Sequence, residues 1–236
     1  MFSNRYIFIY ATVMIVIVAS ILATASSLLK PLQDMNIKNE KYKNILVTAK
    51  AMDEKQKIKG KELEDLYFSI ITESYAINSK GEVLDGIDAF NIDMASEVRK
   101  PIEGRMLPVF VATLPDGEKE YIIPLRGRGL WGPIWGYIAI KQDGKTVAGI
   151  SFGHKGETPG LGAEIVNQEF TDQFSGKKIF DDKFDFTSVK VIKSARADDP
   201  HAVDGISGGT ITCNGVDEML YDCIKAYKVF FTSLNN

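Results

Sequence analysis

The stretch LPVFVATLPDGEKEYIIPLRG, Leu107 to Gly127, decides the fold class. Two apolar runs flank Pro115-Asp116-Gly117, the turn chemistry of a β-hairpin. A second copy of the pattern follows in WGYIAIKQDGKTVAGISFGH, Trp135 to His154, around Asp143-Gly144 with Tyr137, Ala139 and Val147 as strand residues. Between them RGRGLWGPIWG, residues 126–136, is too irregular for either strand or helix. After the hairpins, ETPGLGAEIVNQEFTDQF opens on a Pro-Gly turn and predicts a helix near Gly162 to Phe174. FTSVKVIKS, residues 186–194, reads as one more strand. The tail from Asn214 to Leu234 predicts a helix with Val216, Met219, Leu220, Cys223, Ala226 and Tyr227 on its apolar face. Upstream, KGKELEDLYFSIITESY predicts a helix whose face is Leu63, Leu66, Ile70 and Ile71. Lys80-Gly81 and Asp85-Gly86 mark turns after it. The sum is an α+β domain with antiparallel hairpins and flanking helices.

The N-terminus is of another kind. No charged residue interrupts Tyr6 to Leu29, between Arg5 and Lys30. As a helix it would span about 36 Å, enough for a hydrocarbon core of about 30 Å. Ala23-Thr24-Ala25 resembles a signal-peptide cleavage site, but the apolar run is longer than an ordinary h-region, which favours an uncleaved single-pass anchor. PLQDMNIKNEKYKNILVTAKAMDE, residues 31–54, fits a stalk helix. The expected organisation is therefore an anchor over 1–30, a stalk and first soluble part over 31–100, and the main domain over 101–236. Lys30, Lys38, Lys41 and Lys43 beyond the anchor would by simple count keep the domain in the cytoplasm, although long domains cross membranes regardless of such counts.

Composition narrows the function. With 236 residues, 45% hydrophobic, and a net charge of −3, the chain builds one sizeable core and lacks the basic surface of a nucleic-acid binder. Cys213 and Cys223 would lie about 15 Å apart on one helix, too far for a disulfide, and read as buried thiols. No Cys/His spacing suggests a metal site.

Two glycine-rich turns hold the candidate chemistry. DGISGGTIT, Asp204 to Thr212, precedes a helix, so its N–H groups could cradle an anion. It is neither a P-loop nor a GxSxG elbow, and His154 and His201 are the only histidines available as a base. An ordinary loop with a Thr or Asn N-cap is the commoner reading. The second turn, HKGETPGLGAEI, places Glu157, Thr158, Gly160 and Gly162 before another helix, with His154 at a strand end.

Together, HKGETPGLGAEI and DGISGGTIT resemble the FMN-binding domain of the third subunit of the sodium-translocating NADH:quinone reductase. KPLQDMN, GRGLWGPIWGYIAI and the C-terminal helix extend the resemblance over nearly the whole chain. A related domain occurs in the flavin subunit of ferredoxin:NAD oxidoreductase complexes, and a flavin-free membrane-anchored binding module is the reading from another class. In the first family the last threonine of an S/T-G-A-T motif carries FMN through a phosphoester. The motif falls on Ser207, Gly208, Gly209 and Thr210, with Gly in place of the usual Ala at 209. The resemblance implies that a separate, metal-dependent transferase attaches the flavin from FAD, recognising the acidic residue matched by Asp204. Thr212 is a second hydroxyl two residues on and ranks below Thr210. Glu157, Thr158, Gly160 and Leu161 are implied to contact or face the flavin. His154 and Trp131 are further neighbours, or else a strand-end histidine and a structural tryptophan. The implied role is an electron relay from NADH towards ubiquinone or menaquinone, coupled to sodium export. The other integral and peripheral subunits of the complex hold the NADH and quinone sites, and the domain lies on the outer, periplasmic side of a bacterial inner membrane. No catalytic residue or metal is implied on this chain.

Overall fold

Apolar runs that are uninterrupted, as VFVA and YIAI are, fit strands buried on both faces. The computed structural model describes residues 3–53 and 55–234. Helix α1 (Asn4–Thr48) is followed by α2 (Lys61–Ile70), β1 (Ile71–Ile77), β2 (Val83–Leu84) and the single turn α3 (Met94–Glu97). Then come β3 (Leu107–Thr113), β4 (Lys119–Arg128), β5 (Pro133–Lys141) and β6 (Val147–His154). The chain closes with α4 (Gln168–Thr171), β7 (Lys190–Ile192), β8 (Ala202–Asp204), α5 (Thr210–Ala226) and α6 (Lys228–Ser233). Two compact units result, Met1–Lys41 and Tyr42–Asn236.

In the first unit every residue from 3 to 38 is exposed, and α1 is the one helix among the described residues long and apolar enough to cross a membrane. The expected stalk is not a separate helix, because α1 runs through Pro31 to Thr48. Glu54, at the end of that stalk, lies outside the described residues, as do residues 1, 2, 235 and 236.

In the second unit β1 to β6 form an antiparallel sheet of order β2-β1-β3-β4-β5-β6. The boundary expected at residue 100 therefore falls inside one sheet. Phe110, Ala112, Ile122, Tyr137 and Ala139 pack on one side with Ile45, Leu46, Leu63 and Tyr67. Val109, Val111, Ile123, Leu125 and Ile138 pack on the other with Val216, Leu220, Ile224 and Phe231. Both faces are covered, which explains the runs.

The two hairpins form as expected, with Gly117 and Gly144 at positive φ where only glycine is unstrained. Four expectations are corrected. Residues 126–136 are not irregular: β4 and β5 pair out to Arg128 opposite Pro133, and Gly129 donates to the Gly132 carbonyl across a tight turn. The helix from residue 61 stops at Ile70, and residues 71–77 become β1, paired with β3. The helix expected over 162–174 is broken into a 3-10 turn (Gly162–Val166), α4 and a second 3-10 turn (Asp172–Phe174), because Asn167 is extended. The expected strand over 186–194 shortens to β7, which pairs in parallel with β8. Cys213 and Cys223 are free and buried, as expected.

Candidate functional site

Helix α5 places the site. At Gly215 an added Cβ would overlap the Arg128 carbonyl oxygen, and at Gly127 it would fall 2.6 Å from Met219 Cβ. The helix backbone therefore lies directly on the end of β4, and its first turn stands beside the 129–132 turn. One further bond supports this seat: the Arg126 N–H donates to Cys223 Sγ at 3.4 Å. The Ile206 N–H donates to Cys213 Sγ at 3.3 Å and ties the preceding loop to the helix. Burial pushes the Cys223 thiol up to about 11, so it stays neutral.

Thr210 is the first residue of α5, four positions earlier than the expected helix start at Asn214. The N-cap is Gly209, without a side-chain cap, so neither Thr nor Asn caps the helix. The first backbone bond of the helix runs from Cys213 to Gly209, which leaves the N–H groups of residues 210–212 without intrahelical acceptors. The Thr210 side chain is exposed, and its hydroxyl has no hydrogen-bond partner among the described residues. Gly208 has φ 74°, and a Cβ there would lie 2.6 Å from Leu161 Cδ2. At Gly209 an alanine Cβ would sit 3.2 Å from Ile206 Cγ2, so glycine there relieves a tight contact.

Thr212 differs from Thr210 in every respect. It is 2% exposed, and its hydroxyl donates to Glu157 Oε2 at 2.6 Å. Glu157 is 4% exposed, and its Oε1 accepts the Trp131 N–H at 2.9 Å. Burial alone would raise this carboxyl. The Thr212 hydroxyl and the N–H groups of Trp131, Leu130 and Gly132 outweigh it and hold the group below the ordinary glutamate range. The Glu157 N–H in turn donates to His154 Nδ1 at 3.2 Å.

The sequence candidates thus divide. Thr210, Ser207, Gly208, Thr158, Gly160, Leu161 and Trp131 lie on the surface around the α5 terminus. Glu157 and Thr212 point inward and join the segments beneath it. His154 backs Glu157 rather than facing outward alone. Asp204 has its Oδ1 engaged by the Ser194 N–H at 2.6 Å, and Gln173 brackets its backbone through the Asp204 N–H at 2.8 Å. Gly160 adopts φ 76° and donates to Glu164 Oε1 at 2.7 Å. Sequence reading missed Leu130, Ile211, Gly129 and Gly215. The exposed apolar residues Trp131 (68%), Ile211 (58%), Leu130 (46%) and Leu161 (41%) come from the three segments that Glu157 joins. Exposed large apolar side chains that cluster mark ligand or partner surfaces. An exposed hydroxyl, three N–H groups without intrahelical acceptors among the described residues and exposed apolar side chains on the neighbouring segments are groups that could meet a phosphate joined to a flat aromatic ring.

The FMN-binding domain family matches residues 129–225. The NqrC subunit of the Na(+)-translocating NADH-quinone reductase of Chlamydia trachomatis is 41% identical over 141 residues, 53% of this chain and 45% of that relative. The chain thus spans less than half the length of the chlamydial protein. The NqrC subunit from Haemophilus ducreyi is 33% identical over 212 residues, 84% of this chain and 80% of that relative. The crystal structure of NqrC from Parabacteroides distasonis superposes with a TM-score of 0.76 at 42% identity, covering 86% of this chain and 97% of that one. The ferredoxin-linked reading gives way, and the chain belongs to the NqrC family of Na(+)-translocating NADH-quinone reductase subunits, with an FMN-binding domain.

Proposed function

We propose that this protein carries FMN covalently on Thr210 and relays electrons from NADH towards ubiquinone or menaquinone in a sodium-exporting complex. The observation that carries the reading is the exposed Thr210 hydroxyl, without a hydrogen-bond partner among the described residues, at the uncapped start of α5. The amides of residues 210–212 would hold the phosphate, and Leu130, Trp131, Leu161 and Ile211 would flank the ring. Bound flavin supplies one- and two-electron redox chemistry. A covalent tether keeps a cofactor in place on a surface that encloses it only partly, which suits a relay.

Attachment is redox-neutral. Thr210 Oγ bonds to the phosphorus of the FMN half of FAD, the pyrophosphate bond to AMP breaks, and AMP leaves. The hydroxyl proton passes to a base on the transferase, because no titratable side chain is bonded to Thr210 among the described residues. The apolar helix anchors the chain beside the other subunits, with the soluble domain on the periplasmic side. NADH and quinone sites belong to those partners.

Intact mass and peptide mapping of the chain co-expressed with its transferase test this. The expected gain is about 438 Da, FMN less water, on the peptide holding Thr210. Thr210→Ala abolishes it. Modification that persists in that variant, or none in the wild type, overturns the reading.

A further inference from the structure

The first turn of α5 offers two threonine hydroxyls two residues apart, and only one is reachable. What separates them is Glu157. A carboxylate buried without partners costs several kcal/mol, so a 4% exposed glutamate on a surface loop needs a reason. Its oxygens bind two different segments: Oε1 takes the Trp131 N–H of the 129–132 turn, and Oε2 takes the Thr212 hydroxyl of α5. The cradle is closed by glycine on both sides. A Cβ at Gly129 would lie 2.6 Å from Glu157 Oε1; one at Gly162 would overlap the Thr212 hydroxyl and lie 2.9 Å from Glu157 Oε2. An ionised carboxylate only accepts hydrogen bonds, so the Thr212 hydroxyl must turn inward to donate. A helical threonine otherwise turns back to the carbonyl four residues earlier or leaves its hydroxyl to solvent.

We propose that Glu157 is a positioning residue for flavin attachment. Through Thr212 it hides the second hydroxyl and fixes the first turn of α5, so that Thr210 alone is presented to the transferase. The proposal rests on the attachment reading above. A threonine hydroxyl is a weak nucleophile, and a misplacement of about 1 Å at a reacting group can cost about 100-fold. Fixing the turn is therefore worth a buried charge.

The experiment follows loading of the full chain by transferase and FAD, with the rate and site read by mass spectrometry and the fold by circular dichroism and melting. Wild type loads at Thr210. Glu157→Gln keeps shape but removes the charge, and Thr212→Val removes the hydroxyl; each is expected to load about tenfold more slowly while folded. The double variant is expected to be no slower than the worse single, since Glu157 acts on Thr210 through Thr212. Thr212→Ser restores the hydroxyl and the rate. If Glu157→Gln does not fold, the contrast between Val and Ser at position 212 decides. Loading of the folded variants at the wild-type rate, additive losses, or equal rates for Val and Ser would overturn the proposal while leaving Thr210 as acceptor. A wild type that never loads at Thr210 overturns the attachment reading itself, and this proposal with it.

Discussion

The β3–β6 meander and the cluster around Thr210 belong to one domain but are held by opposite means. The meander is redundant. Its strands share long backbone ladders, and apolar side chains fill both faces, so each residue is one support among many. The cluster has little redundancy. Three loop segments meet there through one carboxylate, one hydroxyl and close-packed glycines. A domain so built can lose function at the cluster while its sheet stays folded.

The strongest way to break that contrast is to strike the point where the two regions touch. Gly215 lets the α5 backbone rest on Arg128, and a Cβ has no room there. Gly215→Val must lift α5 off β4, drawing Val216, Met219 and Leu220 out of the core and Thr210 away from its turn. The expected loss is about 3 kcal/mol, read as a melting point lower by about 2–4 °C per kcal/mol, with flavin loading lost as well. Gly104→Ala is the control, since nothing lies within 4 Å of a Cβ there. Equal melting points for the two variants would show that α5 is not seated on glycine.

The same contrast governs what the sequence discloses. Pro115-Asp116-Gly117 and Asp143-Gly144 announce their turns because glycine takes the positive φ that other residues avoid. The 129–132 turn announces nothing, since Leu130 and Trp131 at its tip are apolar, and its strands are evident only once Arg128 faces Pro133. Residues 71–77 extend the apolar spacing of the preceding helix, and only pairing with β3 makes them a strand. At the site, the motif and its threonine are legible as residue types. Which threonine is reachable depends on the helical phase from Thr210, and expecting the helix at Asn214 conceals it. Glu157 reads as a surface residue because its partners stand 26 and 55 positions away.

A second test sharpens the contrast from the side of the sheet. Glu120 on β4 is buried and its Oε2 has no hydrogen-bond partner among the described residues. Burial pushes this carboxyl from 4.5 up to about 7, against the pull of Lys141 and Lys50. A folded value above the unfolded one means that ionisation opposes folding. The penalty is absent below the unfolded value, grows as pH rises from there, and is complete above about 7. Glu120→Gln is expected to stabilise the domain by about 1–3 kcal/mol at pH 8 and by little near pH 4.5, measured by urea unfolding. The sheet should tolerate this substitution with no change in flavin loading. A gain that is the same at both pH values would mean that the charge is not its source.

Glu157 is the opposite case, and its titration gives the smallest and most local effect. Its carboxyl is held below the ordinary range, so its contribution is fully present above the unfolded value of about 4.3 and is lost as pH falls through the depressed folded value. Protonation weakens acceptance from the Trp131 N–H and the Thr212 hydroxyl without touching the sheet ladders. In an NMR titration the Trp131 amide should shift in acid, with a midpoint below about 4.3, while amides of the β5 interior such as Ile138 stay fixed. Glu157→Gln should abolish the shift. If the Trp131 amide titrates at or above the ordinary glutamate value, the carboxylate is not secured by these bonds. If Ile138 moves with Trp131, the cluster and the sheet are one cooperative unit, and the separation between them does not exist.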